Sequence, residues 1–167
     1  MKAALQVLSY VFVGCAIIIG AARPAWAQGY AVRSGASINP DQVFVGGQYE
    51  FAPVADRVWL QPNADLGFGD DTTLLAMNFD VVYRKSIGRR STWTAFAGGG
   101  PALNWYKFTG SSTTQSGANV VGGVRHAKGL STEVRLGFLD SPDLRFGVTY
   151  TFGRNGGTPR RAAPRRR

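Results

Sequence analysis

From Tyr30 to Phe152 the chain alternates apolar and polar residues in short runs with a period of two. Successive side chains of a β-strand point to opposite faces, so this pattern predicts strands with one apolar and one polar side. Four runs are clear. Val58 to Phe68 sets Val58, Leu60, Ala64, Leu66 and Phe68 against Gln61, Asn63, Asp65 and Gly67. Thr73 to Arg84 sets Leu75, Met77, Phe79, Val81 and Tyr83 against Ala76, Asn78, Asp80 and Arg84. Leu130 to Phe138 sets Leu130, Val134, Leu136 and Phe138 against Ser131, Glu133, Arg135 and Gly137. Leu144 to Phe152 sets Leu144, Phe146, Val148, Tyr150 and Phe152 against Arg145, Gly147, Thr149 and Thr151.

Four weaker runs complete the series. Gln42 to Phe51 carries Glu50 on its polar side, and Gly117 to His126 carries Arg125 there. Tyr30 to Ala36 is short, and its parity is ambiguous. Thr92 to Trp105 is interrupted by Gly98-Gly99-Gly100-Pro101, a composition that predicts a bulge or a kink. No stretch in this region repeats apolar residues at spacings of three and four, so no helix is expected. The predicted connections are Ser37 to Asp41, Pro53 to Arg57, Gly69 to Thr72, Lys85 to Arg90, Lys107 to Ser116, Ala127 to Gly129 and Leu139 to Pro142. Short connections favour antiparallel neighbours. The expected fold is therefore all-β: an eight-stranded antiparallel up-and-down β-barrel.

Alternation alone does not say which face is inside. The polar face holds Gly46, Gly67, Gly123, Gly137 and Gly147. Glycine weakens a water-facing strand, but inside a narrow barrel it leaves room for longer side chains. The apolar faces are nearly free of charge over whole strands, as lipid contact requires. Both features point to a transmembrane barrel with its polar face inward. That face carries Glu50, Asp65, Asp80, Arg84, Arg125, Glu133, Arg135 and Arg145, four acidic and four basic residues. Buried charges need partners. A salt-bridge network that plugs the lumen is therefore expected, rather than an ion-conducting channel.

The last strand has a pattern of its own: polar-x-Gly-x-x-aromatic-x-aromatic, filled by Arg145, Gly147, Tyr150 and Phe152. This resembles the β-signal of outer-membrane proteins. With the strand series, and with "NPDQVFVGGQYEF" near its start, the chain resembles the small outer-membrane β-barrels of the OmpA-like, OmpX-like and OmpW-like group. The resemblance covers Tyr30 to Phe152. It implies a barrel in outer-membrane lipid with both termini periplasmic, its final strand read by the barrel-assembly machinery. It implies no fixed activity, since one fold hosts many functions. Structural support, surface contact and passage of small apolar molecules all fit it. With periplasmic termini, the outer connections hold Asp41, Asp70, Asp71 and Asp140, with Lys107 the exception. The inner ones hold Arg57, Lys85, Arg89, Arg90 and Lys128, with Asp56 the exception.

The first residues agree with export. Lys2 precedes the mostly apolar Ala3 to Gly20, and Ala25-Trp26-Ala27 offers a small-x-small cleavage site. Signal cleavage is expected after Ala27, at Gln28; an uncleaved anchor is the alternative. Cys15, the sole cysteine, would leave with the signal, so no disulfide is expected. Its Val-Gly-Cys context only loosely matches a lipoprotein box, and the apolar residues after it argue against lipidation.

The formal charge of +9 is local. Lys2 and Arg23 belong to the leader, and Arg154, Arg160, Arg161, Arg165, Arg166 and Arg167 follow the last strand. The remainder has 11 basic residues against 10 acidic ones, so no nucleic-acid-binding surface is expected on the body. Residues 154–167 read as a disordered tail. Arg160, Arg161, Arg165, Arg166 and Arg167 would suit an anionic envelope polymer or lipid headgroup.

Candidate chemistry is sparse. His126 is the single histidine, and it is followed by Ala127 and Lys128. The lipid A deacylases among small barrels use His-x-Ser-Asn-Ala, so the nucleophile position here holds lysine. A site built from His126, Ser131 and Glu133 is the enzymatic rival. A soluble lipocalin-like binder, with the apolar face inward, is the second. Asp70-Asp71 suits a hard cation but equally a solvated turn. Gly98-Gly99-Gly100 lacks the Lys-Ser or Lys-Thr of a phosphate loop. Neither a cofactor nor catalysis is expected. Trp93, Trp105, Tyr106 and Tyr83 are candidates for aromatic belts.

Overall fold

The computed structural model describes residues 29–69, 72–88, 91–108 and 110–152. The expected cleavage site at Ala25, Ala27 and Gln28 lies outside that range, as do Cys15, Asp70, Asp71, Arg89, Arg90 and the basic tail. The described residues form nine strands: β1 (Gly29–Ile38), β2 (Gln42–Glu50), β3 (Pro53–Ala55), β4 (Val58–Phe68), β5 (Thr72–Ser86), β6 (Trp93–Phe108), β7 (Ser111–His126), β8 (Leu130–Leu139) and β9 (Leu144–Phe152). Each long strand pairs antiparallel with its neighbours in the chain, and β1 pairs with β9. β2 pairs directly with β4, so eight long strands close into a barrel. The three residues of β3 form only a flap on β4, within the predicted Pro53 to Arg57 connection.

The inside-out polarity is plain in the burial pattern. Val32, Val43, Val45, Leu66, Val81, Val120, Val134, Leu136, Phe146 and Val148 are exposed on the outer face. Asn63, Asp65, Asn78, Asp80, Glu133, Arg135 and Arg145 are buried on the inner one. A water-soluble barrel would show the reverse, which removes the lipocalin-like arrangement. Aromatic rings gather near both ends of the barrel. Tyr30, Tyr49, Phe51, Tyr150 and Phe152 cluster where the described chain starts and stops, with Tyr30–Tyr49 and Tyr150–Phe152 centroids 5.0 and 4.9 Å apart. Phe68, Trp105, Phe108 and Phe138 are exposed toward the other end. Tyr106, a candidate for a belt, instead faces the lumen and is buried.

Two expectations about the wall need correction. Lys107 to Ser116 is not a loop: β6 runs to Phe108, β7 starts at Ser111, and Thr113 and Thr114 pair with Tyr106 and Trp105. The run lacks apolar alternation, but β-branched threonines favour extended backbone, and Gly110 supplies the positive φ that a tight turn needs. Nor does Gly98-Gly99-Gly100 make a bulge. The β6 register does not shift: against β7 it is continuous from Trp93↔His126 to Phe108↔Ser111, and against β5 it is the same on both sides of a two-residue gap in pairing at Phe79 and Asp80, opposite Pro101 and Gly100. These glycines lie where the wall has no room for a side chain. A Cβ on Gly98 or Gly100 would sit 2.1 or 2.0 Å from the carbonyl oxygen of Val81 or Phe79.

The same demand recurs at the seam of β1 and β9, where Gly35 faces Gly147. A Cβ on Gly35 would lie 1.9 Å from Phe146 O and 2.7 Å from the Phe44 ring. Gly47, on the outer face, has no such neighbour nearer than 3.8 Å. Gly35→Leu is therefore expected to cut sharply the yield of closed barrel on refolding, while Gly47→Leu folds normally. Circular dichroism and protease resistance of the two refolded variants would check this, and equal yields would contradict it.

Candidate functional site: a lumen crossed by ion pairs

β-strand hydrogen bonds join only neighbouring strands. The charged side chains of the inner face join strands that are not neighbours, and they do so across the lumen. They form two groups.

The first group centres on Glu50 of β2. Arg84 of β5 donates to both of its carboxylate oxygens, at 2.6 and 2.8 Å. Arg125 of β7 donates to Oε2 at 2.5 Å. In the ring order β2-β4-β5-β6-β7, β7 stands opposite β2, so this pair spans the full width of the barrel. The Arg84 guanidinium also lies over the Trp59 ring, 4.5 Å from its centroid. That contact accounts for a tryptophan on the polar face, where it supplies a cation–π surface.

The second group is a continuous chain. Arg145 of β9 meets Asp65 of β4 at 3.2 Å, and Asp65 meets Arg33 of β1 at 3.1 Å. Arg33 bridges to Glu133 of β8, Glu133 to Arg135 at 3.4 Å, and Arg135 to Asp80 of β5 at 2.8 Å. Three asparagines close a circuit around the last pair. Arg135 donates to Asn119 at 2.6 Å, Asn119 to Asn78 at 3.1 Å, Asn78 to Asn63 at 2.9 Å, and Asn63 to Asp80 at 2.9 Å. The Arg145 guanidinium also lies over the Phe44 ring at 4.1 Å.

The remaining inner surface makes room for these side chains. β6 turns Gly98, Gly100 and Ala102 inward and contributes no charge. Toward the mouth opposite the chain ends, Leu74, Ala76 and Tyr106 form a small apolar cluster. Over it folds the β8–β9 connection, with Ser141 and Pro142 buried. Asn104 donates to Asp140 O at 2.9 Å and to Ser141 Oγ at 3.2 Å, and Tyr106 donates to Asp140 O at 3.1 Å. Gly137 is bare where the cap passes, for a Cβ there would meet Pro142 O at 2.1 Å.

All eight charged residues singled out in the sequence lie in the lumen, and each takes part in these contacts. Sequence reasoning missed Arg33, because the parity of the first strand was ambiguous. The pairing Arg33↔Gly46 in the observed register sets it on the inner face. It also missed the asparagines as network members, although Asn63 and Asn78 stand on the alternating polar face. The inward cap at Ser141 and Pro142 carries no sequence signal beyond the glycines around it. Of the terminal motif, Arg145 and Gly147 point inward and Tyr150 and Phe152 outward.

The rival catalytic group does not assemble. Ser131 and Glu133 face the lumen, where the Ser131 hydroxyl donates to Thr149 O at 3.3 Å. His126 lies on the other face of the sheet, its ring 4.8 Å from that of Trp93 and its Nδ1 accepting the Lys128 amide. No group of three or more metal-ligating side chains occurs among the described residues.

The fold and this interior define an eight-stranded antiparallel barrel of the kind seen in outer-membrane proteins. Two solved structures share it. The N-terminal β-barrel domain of Pseudomonas aeruginosa OprF matches with a TM-score of 0.57 and 14% identity, over 75% of this chain and 96% of that one. Neisserial surface protein A (NspA) matches with a TM-score of 0.53 and 16% identity, over 75% and 95%. The Ail attachment invasion locus protein of Yersinia pestis aligns at a TM-score of 0.37 and 11% identity, over 74% and 91%. No protein-family model and no curated protein matches the chain.

Arg135 and Asp80 have side chains 3% and 2% exposed. Removing one member of such a pair strands the other charge, at a cost of about 3–5 kcal/mol. Arg135→Met is expected to destabilise the barrel by that order, and Asp80→Asn with Arg135→Met by less than the sum of the two single changes. Urea unfolding of the reconstituted variants, followed by tryptophan fluorescence, measures both. Strict additivity would show that the pair does not act as a unit.

Proposed function

We propose that the protein is an outer-membrane β-barrel whose lumen is closed to ions, and that its role is structural or surface-contacting rather than enzymatic. The observation that carries this reading is the inverted polarity: an apolar, aromatic-rimmed exterior around an interior crossed by ion pairs. A lipid environment accepts such an exterior and requires every backbone group to be satisfied within the wall, which a closed barrel achieves. An Arg125–Glu50 contact of 2.5 Å between opposite walls leaves side chains, not water, at the centre of that level. Ionised side chains across the lumen also argue against passage of small apolar molecules through it. The separation of His126 from Ser131 and Glu133 supports a role without catalysis.

Both described ends of the chain lie at one rim, since Tyr30 pairs with Phe152. Arg57, Lys85 and Lys128 stand exposed at that rim, together with Asp56. Asp41, Asp140 and Asp143 stand exposed at the other, with Lys107 nearby. This polarity supports an orientation with both termini periplasmic. The six arginines that follow Phe152 in the sequence would suit an anionic envelope polymer.

Cell fractionation is the direct test. The protein is expected in the outer membrane, with a gel mobility that shifts on heating. Recovery in the soluble periplasm would overturn the reading. In planar bilayers the monomer is expected to give no large, stable ion current, and steady conductance would refute the closed lumen.

The tail is tested separately. A chain ending at Gly153 is expected to insert like the full chain but to lose salt-sensitive co-sedimentation with isolated anionic cell-wall polymer. Unchanged co-sedimentation would remove the tail's proposed role. Failed insertion would show that the assembly signal extends past Phe152.

A further inference from the structure

Among the described residues the lumen charges do not balance. Arg33, Arg84, Arg125, Arg135 and Arg145 face Glu50, Asp65, Asp80 and Glu133, five guanidinium groups against four carboxylates. The second group balances within itself, with Arg33, Arg135 and Arg145 against Asp65, Glu133 and Asp80. The surplus therefore sits in the first group, where Arg84 and Arg125 share the single carboxylate of Glu50.

The geometry around Arg125 marks the place. Its side chain is 9% exposed, and its Nη2, shut off from solvent, meets no hydrogen-bond acceptor. Arg84 Nε is likewise enclosed without an acceptor. Beside them is a void of about 10 Å³, bounded by Gln48, Gln61, Arg84, Phe96, Arg125, Ser131 and Glu133. That volume suits one particle of about the size of a water molecule.

We infer that this void is a binding site for one small monovalent anion of the halide class, held by Arg125 and Arg84. A water molecule would satisfy the free N–H groups but would leave Arg84 and Arg125 sharing the one carboxylate of Glu50, a net positive charge that is costly away from solvent. A halide supplies both an acceptor and the missing charge. Glu133 borders the void and repels an anion, but Arg33 and Arg135 already neutralise it. Chloride is somewhat larger than water, so its seating requires a shift of the uncharged Gln48 side chain, which accepts a long 3.4 Å hydrogen bond from Arg33. The slight exposure of Arg125 gives the ion a way in from the rim that carries the chain ends.

Diffraction from crystals of the refolded barrel grown in sodium bromide tests the site directly. An anomalous peak within hydrogen-bonding distance of Arg125 Nη2 is expected, and water density alone there would overturn the inference. Stability gives an independent readout. The urea midpoint is expected to rise saturably with chloride or bromide, and not with gluconate at equal ionic strength. Gln48→Glu places a carboxylate on the void and is expected to abolish both the bromide peak and the halide response. A halide response that persists undiminished in Gln48→Glu, or one that gluconate reproduces, would also overturn the inference.

Discussion

The barrel depends on the pairing of charges across its lumen. Closing the wall satisfies the backbone, and an apolar exterior suits lipid, but together these leave polar side chains only one place to go. Inside, an ionised group without a partner is costly, and the nearest partners are on other walls. Arg125 meeting Glu50, Arg135 meeting Asp80 and Arg145 meeting Asp65 each tie strands that share no backbone hydrogen bond. The hydrogen-bond ladder sets which strands are neighbours. The ion pairs act as struts that hold opposite walls at a fixed separation.

That separation explains where the small residues stand. Five long guanidinium side chains and the Phe44 and Trp59 rings need volume in a narrow tube. β6 gives it up by presenting Gly98, Gly100 and Ala102 inward, and the β1–β9 seam gives it up at Gly35 and Gly147. The wall is thus uneven, with bare backbone on one side and long charged residues on the other. Phe44 packs under Arg145 because the seam beside it is bare. At the far mouth the charges stop, and the interior is finished by Leu74, Ala76 and Tyr106 beneath the inward-folded Ser141 and Pro142.

Much of this was legible in the sequence, because the period of two is a direct physical consequence of the strand. Val58 to Phe68 and Leu144 to Phe152 have the same ends in the structure as in the pattern. Charge-free apolar faces then told inside from outside. What stayed hidden has specific causes. Arg33 sits in a run of small residues, Gly29 to Ile38, where alternation is weak, and only its register against β2 fixes its side. The serines and threonines of β7 look like a loop because the two faces of the hairpin there do not differ in polarity. A glycine run such as Gly98 to Gly100 suggests backbone freedom, whereas its place in the wall reflects lack of space. The inward cap depends on contacts from Asn104 and Tyr106, far away in the chain.

The terminal motif gains a second explanation from this interior. Each of its residues has a reason within the folded barrel. Arg145 pairs with Asp65 and covers Phe44. Gly147 faces Gly35, and a Cβ there would press on Glu133 at 3.2 Å. Tyr150 and Phe152 pack edge to face on the outer surface, where Phe152 pairs with Tyr30 to join the last strand to the first. A closing strand in a lumen of this kind needs a long cation, a bare position and an aromatic edge at this spacing, whatever machinery reads it.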